Sequence, residues 1–526
     1  MNPSPTRPHV VIVGGGIAGL AAAFFLRDEP VRVTVLEGSS RLGGKLSVSE
    51  VAGVAVDEGA EALLVTRPEG TGLIAQVGLA GDRVEPGTTS SAIWTLGALH
   101  ALPRRQFMGV PSDLAELARS GVVSGEGAAR ASQDLQLPPT VRDGDVPVAD
   151  YVGARFGAEV VNRLVDPLLG GVYAGRSADL SFDATMPTLA AASRRYRSLA
   201  EAAGSLLPPP APDGAPAADR GRGPTPAADR GRGPVGTRSG GSVFTTLAGG
   251  LGLLPAALAK ISGAEVRTAV MARALAPAPA EPGAASARPG AGRGWRLTVG
   301  SAATEELIDA DAVILAVPAR PAGRLLVQVP GASGAVTAFG EISYASMAIV
   351  TLAYPRSAFP GSPAGDGLAA LGWSGYLVPA VDGRAVKAVT FSTVKWPHLA
   401  DMTGSGAEPL EIVRCSVGRI GEEALLQRAD EDLAALAAAE LALATGVRGA
   451  PVAYRVTRWG GALPQYTVGH LDRVARIRAA VSAQPGLAVC GAAYDGVGIP
   501  ACVATARAAA DRVTEFLRRG RQWGHG

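Results

Sequence analysis

HVVIVGGGIAGLAAAFFL, at residues 9–26, is the stretch that decides the fold. His9–Val13 is a short apolar run, which is typical of a buried parallel strand. Three glycines follow, and Ile17–Leu26 then has the pattern of a helix. A second apolar run, Val31–Leu36, predicts another strand. Strand, glycine turn, helix and strand together form one βαβ unit, so the fold class is predicted to be α/β.

The glycine turn has the spacing of a dinucleotide cradle. Gly14 allows the tight turn, Gly16 lets the backbone approach a pyrophosphate, and Gly19 lets helix and strand pack closely. The helix start offers free N–H groups to phosphate oxygens. Glu37, eighteen residues after Gly19, can accept hydrogen bonds from ribose hydroxyls and disfavours a phosphorylated ribose. The residues predicted to contact the nucleotide here are Gly14, Gly15, Gly16, Ile17, Ala18, Gly19 and Glu37. The alternative is a glycine-rich turn in an ordinary α/β protein.

A second motif, RLGGK at residues 41–45, follows Glu37 almost at once. The arrangement GxGxxG, Glu, RxGG resembles the FAD-binding signature of glutathione-reductase-like flavoproteins, in the branch with amine oxidases, carotenoid desaturases and protoporphyrinogen oxidases. Residues 56–61 (VDEGAE) and 487–500 (LAVCGAAYDGVGIP) resemble two further cofactor segments of that branch. The resemblance implies FAD rather than NAD. It also implies that further residues contact FAD, namely Gly38, Arg41, Gly44, Lys45, Gly59, Ala60, Glu61, Ala62, Val266, Trp459, Val497, Gly498 and Ile499.

Other segments carry a narrower resemblance. Residues 167–175 (PLLGGVYAG), 249–255 (GGLGLLP) and 458–470 (RWGGALPQYTVGH) are similar to the porphyrinogen oxidase family, most closely its bacterial branch that forms coproporphyrin. The resemblance implies oxidation of coproporphyrinogen III to coproporphyrin III, with dioxygen as acceptor and hydrogen peroxide as product, in haem biosynthesis. It places the glycine pair Gly170 and Gly171 in a loop beside the flavin, where a backbone carbonyl at Gly171 would stabilise a cationic intermediate. No propionate-binding arginine can be matched, so protoporphyrinogen IX stays open as the substrate.

The same resemblance implies a discontinuous architecture. We expect a Rossmann-like FAD-binding domain at 1–85, 241–330 and 478–526, and a mixed-sheet substrate domain at 86–110 and 331–477. A helical cap is expected at 111–205. Residues 206–240 are rich in Pro, Gly, Ala and Arg and contain the repeat PAADRGRGP twice, which predicts a disordered, dispensable insertion. Residues 276–294 have a similar composition and are expected to lengthen a hairpin.

Composition excludes several classes of protein. Among 526 residues, 49 Lys and Arg against 47 Asp and Glu give a net charge of +2, so no nucleic-acid partner is expected. Three cysteines and five scattered histidines form no metal motif and no disulfide framework, so no metal is predicted. The sequence has no apolar run of about 20 residues, so no membrane span is predicted. We expect a cytoplasmic enzyme, with peripheral membrane contact left open and handover of product to a ferrochelatase conceivable from the family.

Two other functions stay open. The chain can be another flavin oxidoreductase of the same branch, an amine oxidase or a carotenoid desaturase. A flavin-linking cysteine near the C-terminus would favour the amine oxidase, but neither Cys490 nor Cys502 lies in a matching motif. It can also be a porphyrin carrier that uses a bound flavin only structurally.

Overall fold

The computed structural model describes residues 7–209, 242–279, 294–301, 303–360, 366–403 and 408–522. Of the predicted insertion at 206–240, the part from residue 210 lies outside the described residues. Residues 280–293, within the second predicted insertion, also lie outside them.

A five-stranded parallel sheet lies at the centre of the described part of the chain. Its strands are, in spatial order, Glu265–Arg267, Arg32–Leu36, His9–Val13, Ala312–Leu315 and Leu487–Val489. The N-terminal strand is buried throughout, as its unbroken apolar pattern predicts. The predicted βαβ unit is confirmed, with its helix at Ile17–Phe25.

One face of this sheet packs against helices from both ends of the chain. Leu20 and Phe24 of the first helix share a buried cluster with Cys502, Ala506 and Val513 of the last helix. The helices of this half, within the described residues, are Ile17–Phe25, Pro68–Gln76, Leu253–Ser262, Ala319–Leu325, Ser333–Gly340, His470–Ser482 and Ile499–Gln522.

Smaller sheets flank the parallel one. Ala272–Pro277, Trp295–Gly300 and Glu305–Ala310 form an antiparallel sheet, so the segment at 276–294 does connect two hairpin strands. The other short pairings are Val48–Val51 with Val54–Asp57, Gln106–Phe107 with Val110–Pro111, and Phe244–Leu247 with both Leu63–Leu64 and Arg83–Val84.

A seven-stranded mixed sheet forms the second large layer. Its strands are, in spatial order, Ala453–Pro464, Tyr344–Pro355, Leu410–Val417, Val386–Phe391, Gly375–Leu377, Ala92–Thr95 and Ala98–Ala101. Alternate residues such as Val350 and Cys415 bury one face against the helix Asp430–Thr445. A 3₁₀ turn at Glu423–Gln427 precedes this helix and ends before the α-helix begins at Asp430. Short helices Ser392–Lys395 and Pro397–Thr403 complete this layer.

Helices from residues 114–204 cover the other face of this sheet at one end and have their own core. They are Leu114–Ser120, Gly125–Ser132, Val148–Phe156, Ala158–Val160, Asp166–Tyr173, Phe182–Thr185, Pro187–Ser193 and Leu199–Gly204. A π-helical turn at Val161–Val165 connects Ala158–Val160 directly to Asp166–Tyr173. A buried ion pair between Arg155 and Asp134 ties the layer together.

The two large sheets and the helical layer confirm the α/β class with one parallel and one mixed sheet. The proposed domain boundaries stay a prediction. No helix among the described residues is long and apolar enough to cross a bilayer.

Candidate active site

The glycine turn after the first strand forms an open notch. Gly14 has φ +111°, and a Cβ there would lie 2.6 Å from the Ala316 carbonyl oxygen. A Cβ on Gly19 would lie 1.9 Å from the Gly14 oxygen, so this glycine permits the close approach of helix and strand. A Cβ on Gly16 would meet only Gly44 Cα, at 3.9 Å, so the notch above Gly16 is empty of protein. Within the described residues, the N–H groups of Gly16 and Ala18 have no acceptor.

Glu37 closes one side of the notch. Its Oε2 accepts a hydrogen bond from Gly15 N at 2.8 Å, and its Oε1 accepts one from Ser39 N at 2.8 Å. Glu37 N in turn donates to the carbonyl of Arg267, next to Val266 on the edge strand. The carboxylate is therefore fixed at the carboxyl end of the sheet and keeps further lone pairs for ribose hydroxyls.

The second motif lies directly against the first. Gly43 N donates to Gly15 O at 2.9 Å, and Gly16 and Gly43 form a parallel bridge. Arg41 Nη2 donates to Gly44 O at 2.8 Å and holds this turn. Lys45 is half-buried, and this burial lowers the pKa of its ammonium. It has no ion pair among the described residues. An uncompensated cation beside the notch suits an electron-rich or anionic ligand group.

The third segment, residues 58–62, is fixed on the second. Ala60 N donates to Lys45 O at 3.2 Å, and a Cβ on Gly59 would lie 1.9 Å from that oxygen. Trp459 Nε1 donates to Glu58 O at 2.8 Å, and its ring lies 5.5 Å from the Arg41 guanidinium. Trp459 thus lies beside the second and third segments, and its contact with FAD stays a prediction.

The side chain of Glu61 is bound by protein groups. Its buried carboxylate forms ion pairs with Lys395 at 3.1 Å and Arg414 at 3.2 Å, and accepts from Ser392 Oγ at 2.9 Å. Although burial opposes it, the two cations and their hydrogen bonds lower the pKa of Glu61 to about 2. The carboxylate is occupied by protein groups, so contact with the cofactor would have to come from the backbone near Glu61 and Ala62.

Replacing Glu61 by Gln is expected to cost about 3 kcal/mol of stability, because it leaves the buried Arg414 and the half-buried Lys395 without their carboxylate. The lowered pKa means that the carboxylate stabilises the fold fully above pH 4.5 and progressively less as pH falls towards 2. The difference in unfolding free energy between wild type and E61Q should therefore narrow below pH 4.5. Denaturant titrations across that range measure it. E306Q, which breaks an exposed pair with Arg267, is the control and should change stability little.

The C-terminal turn brings a helix start to the same region. Gly496 N donates to the Tyr466 hydroxyl at 2.8 Å, and the helix Ile499–Gln522 follows. Among the described residues, the N–H groups of Val497, Gly498 and Ile499 have no acceptor. Free N–H groups at the positive end of a long helix favour negative charge on a bound ring. Cys502, one turn further on, is buried, which raises the pKa of its thiol to about 11.

Gly171 lies in a helix, not in the loop that the GG pair suggested. The helix Asp166–Tyr173 ends at Ala174, which is left-handed with φ 50°. The carbonyl oxygens of Gly171 and Val172 accept no hydrogen bond from residues beyond the helix end, as far as the chain is described. Both residues are exposed, and a Cβ on Gly171 would lie 3.6 Å from Leu377 of the mixed sheet. A partly negative helix end therefore faces the open side of that sheet.

The open side of the mixed sheet lies between this helix end and the cofactor segments, and the space above this face is called the chamber below. Its residues are half-buried, in contrast to the opposite face, and they are Met347, Leu377, Ala388, Ser416, Thr457 and Trp459. Arg414 Nη2 joins this face to the third segment by donating to Gly59 O at 2.7 Å. The helix end is fixed in turn by Tyr173, whose ring contacts Tyr466 with centroids 5.5 Å apart.

His470 and Tyr376 pack against other aromatic side chains. His470 is buried, stacks on Tyr466 at 3.8 Å, and burial lowers its pKa to about 4, so its ring is neutral. Tyr376 packs in the core against Trp94 and Phe391. His100 and Trp373 contact none of the cofactor segments through a described hydrogen bond.

Sequence reasoning missed Arg67. A Cβ on Gly496 would lie 3.8 Å from Arg67 Nη1, so this guanidinium lies beside the C-terminal turn. It is exposed and has no ion pair within the described ranges. The only signal was its place before Pro68, where a helix begins, and that pattern says nothing about a ligand.

These segments fit FAD: an empty notch with free N–H groups, a fixed carboxylate, a half-buried cation and a second helix start lie along one groove. Fold and groove define an FAD-dependent oxidoreductase. The chain belongs to the flavin containing amine oxidoreductase family, which it matches over residues 17–514.

Individual relatives agree with this assignment. The coproporphyrinogen III oxidase of Mycobacterium tuberculosis (strain ATCC 25618 / H37Rv) is 36% identical over 513 residues, covering 96% of this chain and 97% of the relative. That of Bacillus subtilis (strain 168) is 29% identical, covering 98% and 99%. The crystal structure of a protein from Exiguobacterium sp. 255-15, described as a putative protoporphyrinogen oxidase, has a TM-score of 0.76 and 28% identity, covering 97% and 99%. The predicted family, fold and cofactor are thereby confirmed.

Proposed function

We propose that this protein oxidises coproporphyrinogen III to coproporphyrin III with FAD as the immediate acceptor and dioxygen as the final one. One porphyrinogen and three dioxygen molecules give one porphyrin and three hydrogen peroxide molecules. The observation that carries the proposal is the end-to-end similarity to proteins named coproporphyrinogen III oxidase. The proposal includes a cytoplasmic location, peripheral membrane contact and transfer of the porphyrin to a ferrochelatase.

The chamber explains how the chain would assist this reaction. FAD, when bound, supplies the two-electron acceptor. The chamber floor, on the open face of the mixed sheet, would hold the macrocycle against the groove. Gly171 leaves room for the macrocycle to approach the helix end closely, and its free carbonyl would stabilise positive charge that develops on the substrate. The helical layer would exclude water from the reacting carbon.

A second candidate is oxidation of protoporphyrinogen IX. It is favoured by a full-length relative from Bos taurus named protoporphyrinogen oxidase, which is 28% identical and covers 96% of this chain and 98% of the relative. The two substrates differ in their side chains, since coproporphyrinogen has four propionates and protoporphyrinogen has two propionates and two vinyl groups. The ring chemistry is the same for both.

The test is porphyrin fluorescence in air, because porphyrinogens do not fluoresce. The FAD-loaded protein is given each substrate separately, and hydrogen peroxide is measured alongside. We expect faster formation of coproporphyrin, with three peroxides per porphyrin. A preference for protoporphyrinogen would replace the first candidate by the second. Turnover of neither substrate by flavin-loaded protein would reject both in favour of a desaturase, an amine oxidase or a carrier.

A further inference from the structure

Lys387 is a buried ammonium without an anionic partner. The residue is 2% exposed, and its Nζ contacts Met347 Sδ at 3.8 Å. No carboxylate forms an ion pair with it in the described part of the chain. A thioether is only a weak acceptor, so it does not compensate a buried charge.

One cation, Arg419, and one carboxylate, Glu422, act on Lys387. Arg419 is also buried, and its guanidinium donates to the carbonyls of Arg384 and Val378 at 3.0 Å each. Glu422, which lies 3.6 Å from Arg419, is the carboxylate that acts on both cations. Burial first, and the Arg419 charge second, lower the pKa of Lys387 to about 7. The fold thus holds a surplus of positive charge here that an arriving anion would compensate.

Lys387 lies on the chamber side of the mixed sheet. It is the extra residue of a β-bulge, between Val386 opposite Val417 and Ala388 opposite Ser416. Its side chain crosses the neighbouring strand to reach Met347, which pairs directly with Trp459 at the cofactor segments. A bulge re-aims a side chain, and here it directs a cation along the chamber floor.

Lys387 also lies near the helix end. Its carbonyl accepts from Val378 N at 2.9 Å, and the preceding residue, Leu377, is the one that Gly171 faces. Arg67, in contrast, is exposed beside the C-terminal turn. We call the end of the chamber beside the helix Asp166–Tyr173 its inner end. The chamber therefore has a buried cation, Lys387, at its inner end and an exposed cation, Arg67, near the groove.

This arrangement distinguishes the two macrocycles. The two propionates of protoporphyrinogen are adjacent, so one edge of that ring is acidic and the opposite edge carries vinyl groups. Coproporphyrinogen III has a propionate on every pyrrole, so both edges are acidic in any orientation. A vinyl edge at the inner end offers Lys387 no anionic partner, so only the propionate edge of coproporphyrinogen III gains an ion pair there.

We propose that Lys387 is a specificity-determining residue that pairs with a propionate at the inner edge of coproporphyrinogen III, a carboxylate that protoporphyrinogen IX lacks. The proposal rests on the proposed function and adds to it a residue that selects the tetracarboxylate.

The test compares the FAD-loaded variant K387M with wild type on both porphyrinogens. Met has nearly the shape of Lys without its charge, and replacing a buried charge by an apolar isostere is usually tolerated. We expect KM for coproporphyrinogen III to rise about 10-fold or more, because truncating one partner of a buried charge pair costs at least that. KM for protoporphyrinogen IX should change less than about 2-fold or fall, and kcat should change little. K387R, which keeps the positive charge, should keep most of the wild-type difference in KM between the two porphyrinogens.

The control variant is K260M, which removes an exposed lysine at a helix end away from the chamber and should leave both KM values unchanged. Equal effects of K387M on both substrates, or none on either, with normal flavin content, would overturn the proposal. If K387M loses flavin, K387Q takes its place under the same criteria. A direct binding measurement separates the proposal for Lys387 from the proposed function. Quenching of protein fluorescence should show that coproporphyrin III binds wild type more tightly than K387M, even if no porphyrinogen is oxidised. Equal binding would reject the proposal for Lys387 and leave the proposed function untouched.

Discussion

Replacing Gly16 by Val is expected to give a folded protein that contains no flavin and oxidises no porphyrinogen. Gly16 has an ordinary φ of −77°, and a Cβ there has only Gly44 Cα as a neighbour, at 3.9 Å. The chain can therefore accept the larger side chain without strain. The added methyl groups would occupy the notch over the helix start, where the pyrophosphate needs to reach the backbone N–H groups.

The measurement is the visible flavin absorbance of the purified protein, together with its melting curve without added FAD. G334V is the matched control, because Gly334 is an exposed helical glycine with open space around it and should keep both flavin and turnover. G19V should behave differently from both: its Cβ would collide with the Gly14 oxygen at 1.9 Å, so we expect misfolding. Normal flavin content in G16V would refute the assignment of the cradle.

Replacing Gly171 by Ala is expected to stabilise the protein and lower its activity. The residue is helical with ordinary geometry, so Ala should add about 0.5–1 kcal/mol of stability. The new Cβ would project into the chamber, 3.6 Å from Leu377. Displacing the macrocycle by about 1 Å costs roughly 100-fold in rate, so we expect kcat to fall by up to that factor in G171A and further in G171L, with flavin retained.

A gain in stability together with a loss of kcat in G171A would show that Gly171 acts in the chamber and not on the fold. Melting temperature, flavin absorbance and initial rate are measured on the same preparations. Gly125, the first residue of another helix of the cap with open space around it, supplies the control G125A, which should leave kcat unchanged. Unchanged kcat in G171L would exclude Gly171 from the site.

The sequence was most informative where the determinants are local. The βαβ unit needs only alternation of apolar runs and three glycines at fixed spacing, and the structure has it within one residue at each end. The GG pair at 170–171 was misinterpreted because glycine disfavours a helix interior by local propensity, whereas here the surrounding helical layer supplies the stabilisation. Propensity is a weak guide when tertiary packing decides.

Long-range charge placement could not be predicted. The resemblance of residues 56–61 predicts that Glu61 contacts FAD, but nothing in the sequence indicates its ion pair with Lys395, which is 334 residues away. Lys387 occurs in an apolar strand sequence, VKAVTF, where alternation leaves open whether a lysine points to solvent or to a chamber. The side of the sheet to which Lys387 points depends on the bulge at that position, and the bulge depends on pairing with the partner strand.

The parallel sheet also has a consequence for how the polypeptide is made. Its central strand comes from residues 9–13, but its edge strand comes from residues 487–489, and the first helix buries its apolar side against a helix that begins at residue 499. During synthesis the N-terminal half of the nucleotide groove emerges first and waits for nearly the whole remaining chain to be translated. Such non-local pairing slows folding and leaves apolar surface open to aggregation in the meantime. Flavin capture is therefore a late event, tied to release of the completed chain from the ribosome, and nascent chains that stop short of the last helix should depend on chaperones and accumulate without colour.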